Sequence, residues 1–274
     1  MEKSIGIFDS GIGGLTVLKE IIGVLPHEHT IYLGDTARVP YGTKSASTIK
    51  RYALEDAEFL ISHGIKMIVV ACNTASANAT SFLQDRFNLP ILEVIRPGAE
   101  KAATATRSGI VGVIGTEATI KSDAYATHIK SINPDIEVFS KSCPLFVPLV
   151  EETWIDPEDE SALSDIKCRT VKRYLDEFTN RGIDTLVLGC THYPLLKDTI
   201  DVFMGAGVTL IDSAIATAQE VVKVLNALNL CSHAAEEAER QYFVTDAPER
   251  FRQLGTRFLG KPLERVQQIE IKPH

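Results

Sequence analysis

Cationic excess is the first thing this sequence lacks. Its 274 residues carry 28 Lys and Arg against 36 Asp and Glu, a formal net charge of −8. No surplus of cations is available to replace the counterions of a nucleic-acid backbone, so no nucleic-acid partner is expected. Small anionic ligands stay open, because local fields matter more for them than net charge. Long apolar runs are also missing: none approaches the roughly 18 residues that span a bilayer, and no membrane partner is expected. The amino terminus, Met1-Glu2-Lys3-Ser4, leads directly into a predicted strand without a signal-peptide pattern. Cysteine is scarce. The five present are odd in number and lack CxxC spacing, so they offer neither a disulfide framework nor a metal-ligand motif. These absences together point to the cytoplasm, with thiols kept reduced.

The composition that remains, 45% hydrophobic and 23% charged, is that of an ordinary globular protein. The length suits one large α/β domain or two small ones. Short β-branched runs alternate with longer amphipathic stretches, which predicts βα units and parallel sheets. Predicted strands cover 4–8, 30–33, 66–71, 89–94, 109–114, 136–140, 185–189 and 208–211. Long helices are predicted over 45–63, 75–87, 161–181 and 213–228, and the stretch Gly115 to Ile120 that closes the fifth strand leads into a helix through Ile129. Arg96-Pro97-Gly98 reads as a break, Asp156 to Glu160 as an acidic surface loop, and 233–240 as a polar connection. Ile5-Gly6-Ile7-Phe8-Asp9-Ser10 lines up with Val111-Gly112-Val113-Ile114-Gly115-Thr116, and Cys72 with Cys190. The expectation is therefore two similar parallel-sheet domains related by pseudo-duplication, with the active site in the cleft between them. The first covers residues 1–95 and the second 96–209, and 210–274 returns to complete the first.

Two stretches carry the chemistry. Met67 to Ala75 and Thr185 to Pro194 are each a buried apolar run that ends in a small residue, a cysteine and then polar side chains. Ligands of open α/β sheets sit at such strand ends. A helix beginning near Ala75 would direct its positive end at Cys72 and favour thiolate, while His192 stands two residues from Cys190 as a second means of tuning a thiol. Cys168 and Cys231 read as ordinary small hydrophobes. Two facing cysteines serve metal binding, disulfide redox or two-base proton transfer. The first wants further ligands and the second CxxC spacing, whereas the third needs little else. Asp9-Ser10-Gly11-Ile12-Gly13-Gly14 lies between a strand and a helix, but its glycine spacing is not that of a dinucleotide fingerprint. A leading carboxylate repels pyrophosphate and suits an ammonium group, with Ser10 and backbone N–H groups available to a carboxylate nearby. Besides a two-base proton-transfer enzyme, a Cys190/His192 acyl-transfer hydrolase and a non-catalytic amino-acid-binding module stay open at this point.

Four ordered motifs then carry a resemblance that spans nearly the whole chain. Asp9 to Gly14, Pro40-Tyr41-Gly42, Ala71-Cys72-Asn73-Thr74-Ala75 and Gly189-Cys190-Thr191-His192-Tyr193-Pro194 resemble those of glutamate racemase, in the cofactor-independent aspartate/glutamate racemase family. The resemblance implies an isomerase that interconverts L- and D-glutamate without pyridoxal phosphate or metal and supplies D-glutamate for bacterial peptidoglycan. Aspartate or hydantoin stand as alternative substrates. It implies Cys72 and Cys190 as bases on opposite faces of the substrate Cα, assisted by Asp9 and His192, with Glu152 near His192. It also implies Ser10, Tyr41 and Gly42 (largely through backbone), Asn73, Thr74 and Thr191 as the holders of the substrate, joined by hydroxyl contacts from Thr116 and Thr119. A homodimer is expected on the same ground.

Overall fold

Every hydrogen-bonded strand pair among the described residues is parallel. The protein is represented by a computed structural model that describes residues 3–152, 160–232 and 238–271. The first series runs β1 (Ile5–Asp9), α1 (Leu15–Val24), β2 (Thr30–Gly34), α2 (Ala46–Ser62), β3 (Met67–Val70), α3 (Asn73–Arg86), β4 (Ile91–Glu93) and α4 (Ile95–Ala105). The second runs β5 (Ile110–Gly115), α5 (Glu117–Lys121), α6 (Ala124–Ile132), β6 (Glu137–Ser142), α7 (Phe146–Glu152), α8 (Glu160–Leu175), β7 (Thr185–Gly189), α9 (Lys197–Met204) and β8 (Thr209–Asp212). The chain closes with α10 (Ser213–Ala227), β9 (Arg240–Val244), α11 (Pro248–Leu259) and β10 (Val266–Gln268).

The strands form two sheets, ordered β10-β9-β2-β1-β3-β4 and β6-β5-β7-β8. The order β6-β5-β7-β8 repeats β2-β1-β3-β4, so β5 corresponds to β1 and β7 to β3. The α/β class with two parallel sheets is therefore as expected. Strands β1, β2, β3 and β7 are buried along their whole length, as parallel strands covered on both faces must be. Alternation directs their side chains to opposite layers. Ile5 and Ile7 join Leu15, Leu18 and Val221 of α1 and α10, while Phe8 joins Ile49, Ala53 and Leu83 of α2 and α3. The first of these cores is continuous with Ile114, Phe146, Leu186 and Leu188 of the second half.

Several boundaries differ from the sequence reading. Strand β8 pairs with β7 from Thr209 to Asp212, so the second sheet holds the chain past the expected boundary at residue 209. The return begins with α10, which packs on α1, and β9 and β10 then extend the β2 edge. Arg96, Pro97 and Gly98 do not break the chain but form the first turn of α4. Proline's missing N–H is harmless there, since the first-turn N–H groups have no partner within a helix. Glu93 accepts from Ile95 N at 2.5 Å and Arg96 N at 2.7 Å. The stretch expected only to close β5 forms a helix of its own, α5, and Asp123 at φ 55° separates it from α6, the helix expected through Ile129. The helix expected over 161–181 ends at Leu175 and passes into a 3₁₀ turn at Asp176–Phe178. The acidic loop lies outside the described residues apart from Glu160, and so does the 233–237 part of the polar connection.

Candidate active site

The carboxyl ends of β1 and β3 face those of β5 and β7 across a cavity of about 560 Å³, a size ordinary for a small-molecule site. Ser10, Cys72, Asn73 and Thr74 line it from the first half, and Thr116, Cys190, Thr191 and His192 from the second. Tyr41 and Gly42 close one wall, and Arg250, Phe251 and Leu254 of α11 another. Asp9 and Thr119 are buried but do not line the cavity.

Two glycines permit the halves to meet. A Cβ on Gly13 would stand 2.5 Å from His192 Nδ1 and overlap Thr191 Oγ1 as well. Only hydrogen allows the loop after β1 to rest on Thr191 and His192. Beside it, Thr16 Oγ1 donates to Thr191 O at 3.1 Å. A Cβ on Gly42 would meet Thr116 Cβ at 2.9 Å, so the 40–43 turn closes on the second half for the same reason. Three hydroxyls complete the seam: Thr74 Oγ1 lies 2.9 Å from Thr116 Oγ1, itself 2.9 Å from Thr119 Oγ1.

Cys72 is the residue preceding α3 and is buried. Its Sγ is 3.5 Å from Ser10 Oγ. The helix end was expected to favour thiolate, but the balance goes the other way. Burial and the nearby Asp9 carboxylate push the thiol up to about 12, outweighing the Ser10 hydroxyl and the N–H groups of Ala75 and Ser10. Burial likewise raises Asp9, against the pull of His192 and the Gly11 and Gly14 N–H groups. Asp9 Oδ1 accepts from Gly11 N at 2.9 Å, while Oδ2 is buried without a partner.

On the other side, Cys190 Sγ is 4.0 Å from His192 Nδ1, the limit for a sulfur contact. His192 Nε2 is 2.8 Å from Glu151 Oε1. Burial disfavours a charged imidazole, but Cys190 and Glu151 together outweigh it and raise His192 to about 10. The short Glu151 bond is the firmer of the two contacts. The expectation of Glu152 beside His192 is corrected by one residue: Glu152 bonds Arg250 at 2.7 Å instead and is 55% exposed, against 27% for Glu151. Helical phase is the reason, since consecutive residues of α7 point about 100° apart.

The hydroxyl of Tyr41 turns away from the cavity. Its Oη lies 2.5 Å from Asp35 Oδ2 and 3.0 Å from Asp56 Oδ2, in a buried cluster where Arg38 pairs with Asp35, Glu55 and Asp56. Tyr41 thus holds its own loop and leaves Gly42 at the wall. Asn73 is oriented by Tyr125, whose hydroxyl donates to Asn73 Oδ1 at 2.7 Å. The sequence reading missed Glu151, Arg250, Tyr125 and the acidic cluster. Glu151 follows Val147, another cavity-lining residue, by one helical turn. Glu152 follows Pro148 in the same way, so periodicity does not choose between them. Nothing in the sequence marks Arg250. Among the described residues no group of three His, Cys, Asp or Glu side chains has metal-binding geometry, and no helix is long and apolar enough to cross a membrane.

Comparison with known proteins identifies the family and the fold. The Asp/Glu/Hydantoin racemase family model matches residues 14–221. A glutamate racemase of Geobacter metallireducens is 54% identical over 270 residues, covering 98% of this chain and 97% of the relative. The crystal structure of a glutamate racemase isoform from Bacillus anthracis superposes with a TM-score of 0.91 at 37% identity, covering 98% of each chain. A Francisella tularensis glutamate racemase solved in complex with D-glutamate gives 0.90 at 38% identity, covering 100% of this chain and 99% of that one. The match in fold and sequence runs the length of both sheets and through both cysteine strands, and the chain belongs to the Asp/Glu/hydantoin racemase family of isomerases.

Proposed function

We propose that the protein interconverts L- and D-glutamate by two-base proton transfer at Cα without a cofactor, in the cytoplasm, and so supplies D-glutamate for peptidoglycan. The observation that carries this reading is the pair Cys72 and Cys190. Both are free and buried, both follow topologically equivalent strands, and both line one cavity from opposite halves. One thiolate removes the Cα proton while the thiol opposite donates its own to the other face, so the enzyme ends with the proton on the other sulfur. The pair therefore holds one proton between its two sulfurs before and after each turnover.

The neighbours support a division of labour. Cys72 at about 12 is a proton donor at rest, with Asp9 close enough to act on it electrostatically. Protonated His192 keeps a positive charge beside Cys190, held by Glu151. The carbanion-like charge that develops next to an ionised carboxylate needs fixed donors in a closed, dry site. Ser10, Asn73, Thr74, Thr116 and Thr191 are the candidates, and Asn73 Nδ2 is buried without a partner of its own. The glutamate racemases among the relatives, one solved with D-glutamate, support the choice of substrate.

In deuterated water, product formed in the first turnover carries deuterium at Cα while recovered substrate stays protiated. Rapid deuterium entry into the starting enantiomer would indicate a single base and overturn the mechanism. Cys72→Ala and Cys190→Ala each abolish racemisation, and aspartate and hydantoin panels test the substrate. The homodimer is carried as part of the same reading, and light scattering checks it.

A further inference from the structure

Helix α11 lies along the mouth of the cavity, and one of its side chains reaches the catalytic half it does not belong to. The helix is anchored on the six-stranded side: Phe251 packs against Tyr32 with ring centroids 5.9 Å apart. Gly255 fits so closely against Leu15 of α1 that an added Cβ would stand 2.9 Å from its methyl. Arg250, Leu254 and Phe258 recur every four residues, on one face. Leu254 lines the cavity, and Phe258 presents its ring edgewise to His192 at 5.2 Å. Arg250 completes the row, with Nη2 lying 2.7 Å from Glu152 Oε1 and 3.6 Å from Glu151 Oε2. The other oxygen of Glu151 bonds His192 Nε2. A continuous polar chain therefore runs from Cys190 through His192 and Glu151 to a guanidinium on the opposite half.

Glu151 and Glu152 are adjacent carboxylates at one cavity mouth, and each repels the other. Among the described residues, the groups paired with Glu151 are the His192 imidazole and the Arg250 guanidinium. We propose that Arg250 is a positioning residue, which pins Glu151 against His192 and so sets the orientation of the group beside Cys190. This rests on the two-cysteine reading above. The groups facing Glu151 are His192, with Cys190 behind it, from the β7 end, Arg250 from α11, Asp9 from the β1 end, and Glu152 on its own helix. Burial raises Glu151, while His192 and then Arg250 bring it below the usual carboxylate range. Removing Arg250 removes one of these two supports.

The test is the pH profile of glutamate racemisation by wild type, Arg250→Met and Arg250→Lys. Arg250→Met lowers kcat between about tenfold and a hundredfold, the scale of a displaced catalytic group, with little change in KM. It also moves the acid limb of kcat/KM to higher pH, because Glu151 is protonated more easily. Arg250→Lys, which keeps the charge, restores the limb and part of kcat. An unmoved limb, or a uniform loss at every pH, would reduce Arg250 to a structural role and overturn the proposal. A rise in KM with unchanged kcat would make it a substrate contact and overturn it equally. Arg250 is 51% exposed, so the variants are expected to fold, with circular dichroism as the check. If wild type itself fails to racemise glutamate, the proposed function fails; an active wild type with an indistinguishable Arg250→Met counts against Arg250 alone.

Discussion

Glu151 and Glu152 are identical side chains on consecutive residues, yet they meet different partners. Glu151 is two-thirds buried or more and bonded to His192; Glu152 is mostly exposed and bonded to Arg250. Glu151→Gln removes the charge that keeps His192 protonated, so kcat/KM falls by at least about tenfold, within the range of acid–base assistance. The alkaline limb then falls at lower pH, since the support that raises His192 toward 10 is gone. Glu152→Gln breaks a largely exposed pair worth no more than about 1 kcal/mol, and changes kcat/KM by less than about fivefold. Equal losses in the two variants would contradict the assignment. At this scale the sequence was informative about residue type. The cysteines, Asp9, Ser10, Asn73 and Thr74 were recognisable because each stands at a strand end within a short motif. The choice between two glutamates was not, because it depends on the rotation of α7.

Elements are joined here by polar clamps as well as by the apolar layers. Asp184, just before β7, accepts from Thr106 Oγ1, Arg107 N and Ser108 N, each at 2.7 Å, and from Thr185 Oγ1 at 3.0 Å. It thereby fixes the α4–β5 connection to the strand that delivers Cys190. Slight burial opposes ionisation, but these bonds hold the carboxyl down at about 2, from an ordinary 3.8. Asp184→Asn is expected to cost about 1 kcal/mol at neutral pH, the low end for charged hydrogen bonds at a partly exposed site. A depressed carboxyl contributes stability above its unfolded pKa and loses it as pH falls through the folded value. The gap between wild type and variant therefore narrows below about pH 4 and closes toward pH 2, in denaturant melts compared at each pH. A gap independent of pH would show that the charge is not what stabilises the connection. The same scale explains the misread boundaries. Alternation and helical period located the elements, but tertiary register continued β8 to Asp212, and a left-handed Asp123 split α5 from α6.

The molecule as a whole has two sheets but one dominant apolar layer. Ile5, Leu15 and Tyr32 share a continuous core with Phe146, Leu186 and Leu188, and α10 packs on both α1 and α4. Calorimetry is therefore expected to give a single endotherm rather than one for each sheet. D-glutamate at about a hundred times its dissociation constant adds about 2.7 kcal/mol and moves that endotherm up by several degrees. Two separable transitions, or a ligand shift confined to one of them, would show that the halves unfold independently.

Several features were settled by local sequence alone: parallel strands, the repeated Ser10/Thr116 and Cys72/Cys190 correspondences, and the glycine loop. Local period and turn chemistry are written in consecutive residues. What the tertiary structure decided is which side chains meet around the cleft. Glu151 rather than Glu152 reaches His192, the Tyr41 hydroxyl goes to Asp35 and Asp56, and α11 brings Arg250 to the cavity from the far end of the chain. The first depends on the rotation of α7 against a strand end 41 residues on, the second on the local turn of the 40–43 loop, and the third on docking a segment 98 residues beyond Glu152; no apolar periodicity along the sequence records any of them.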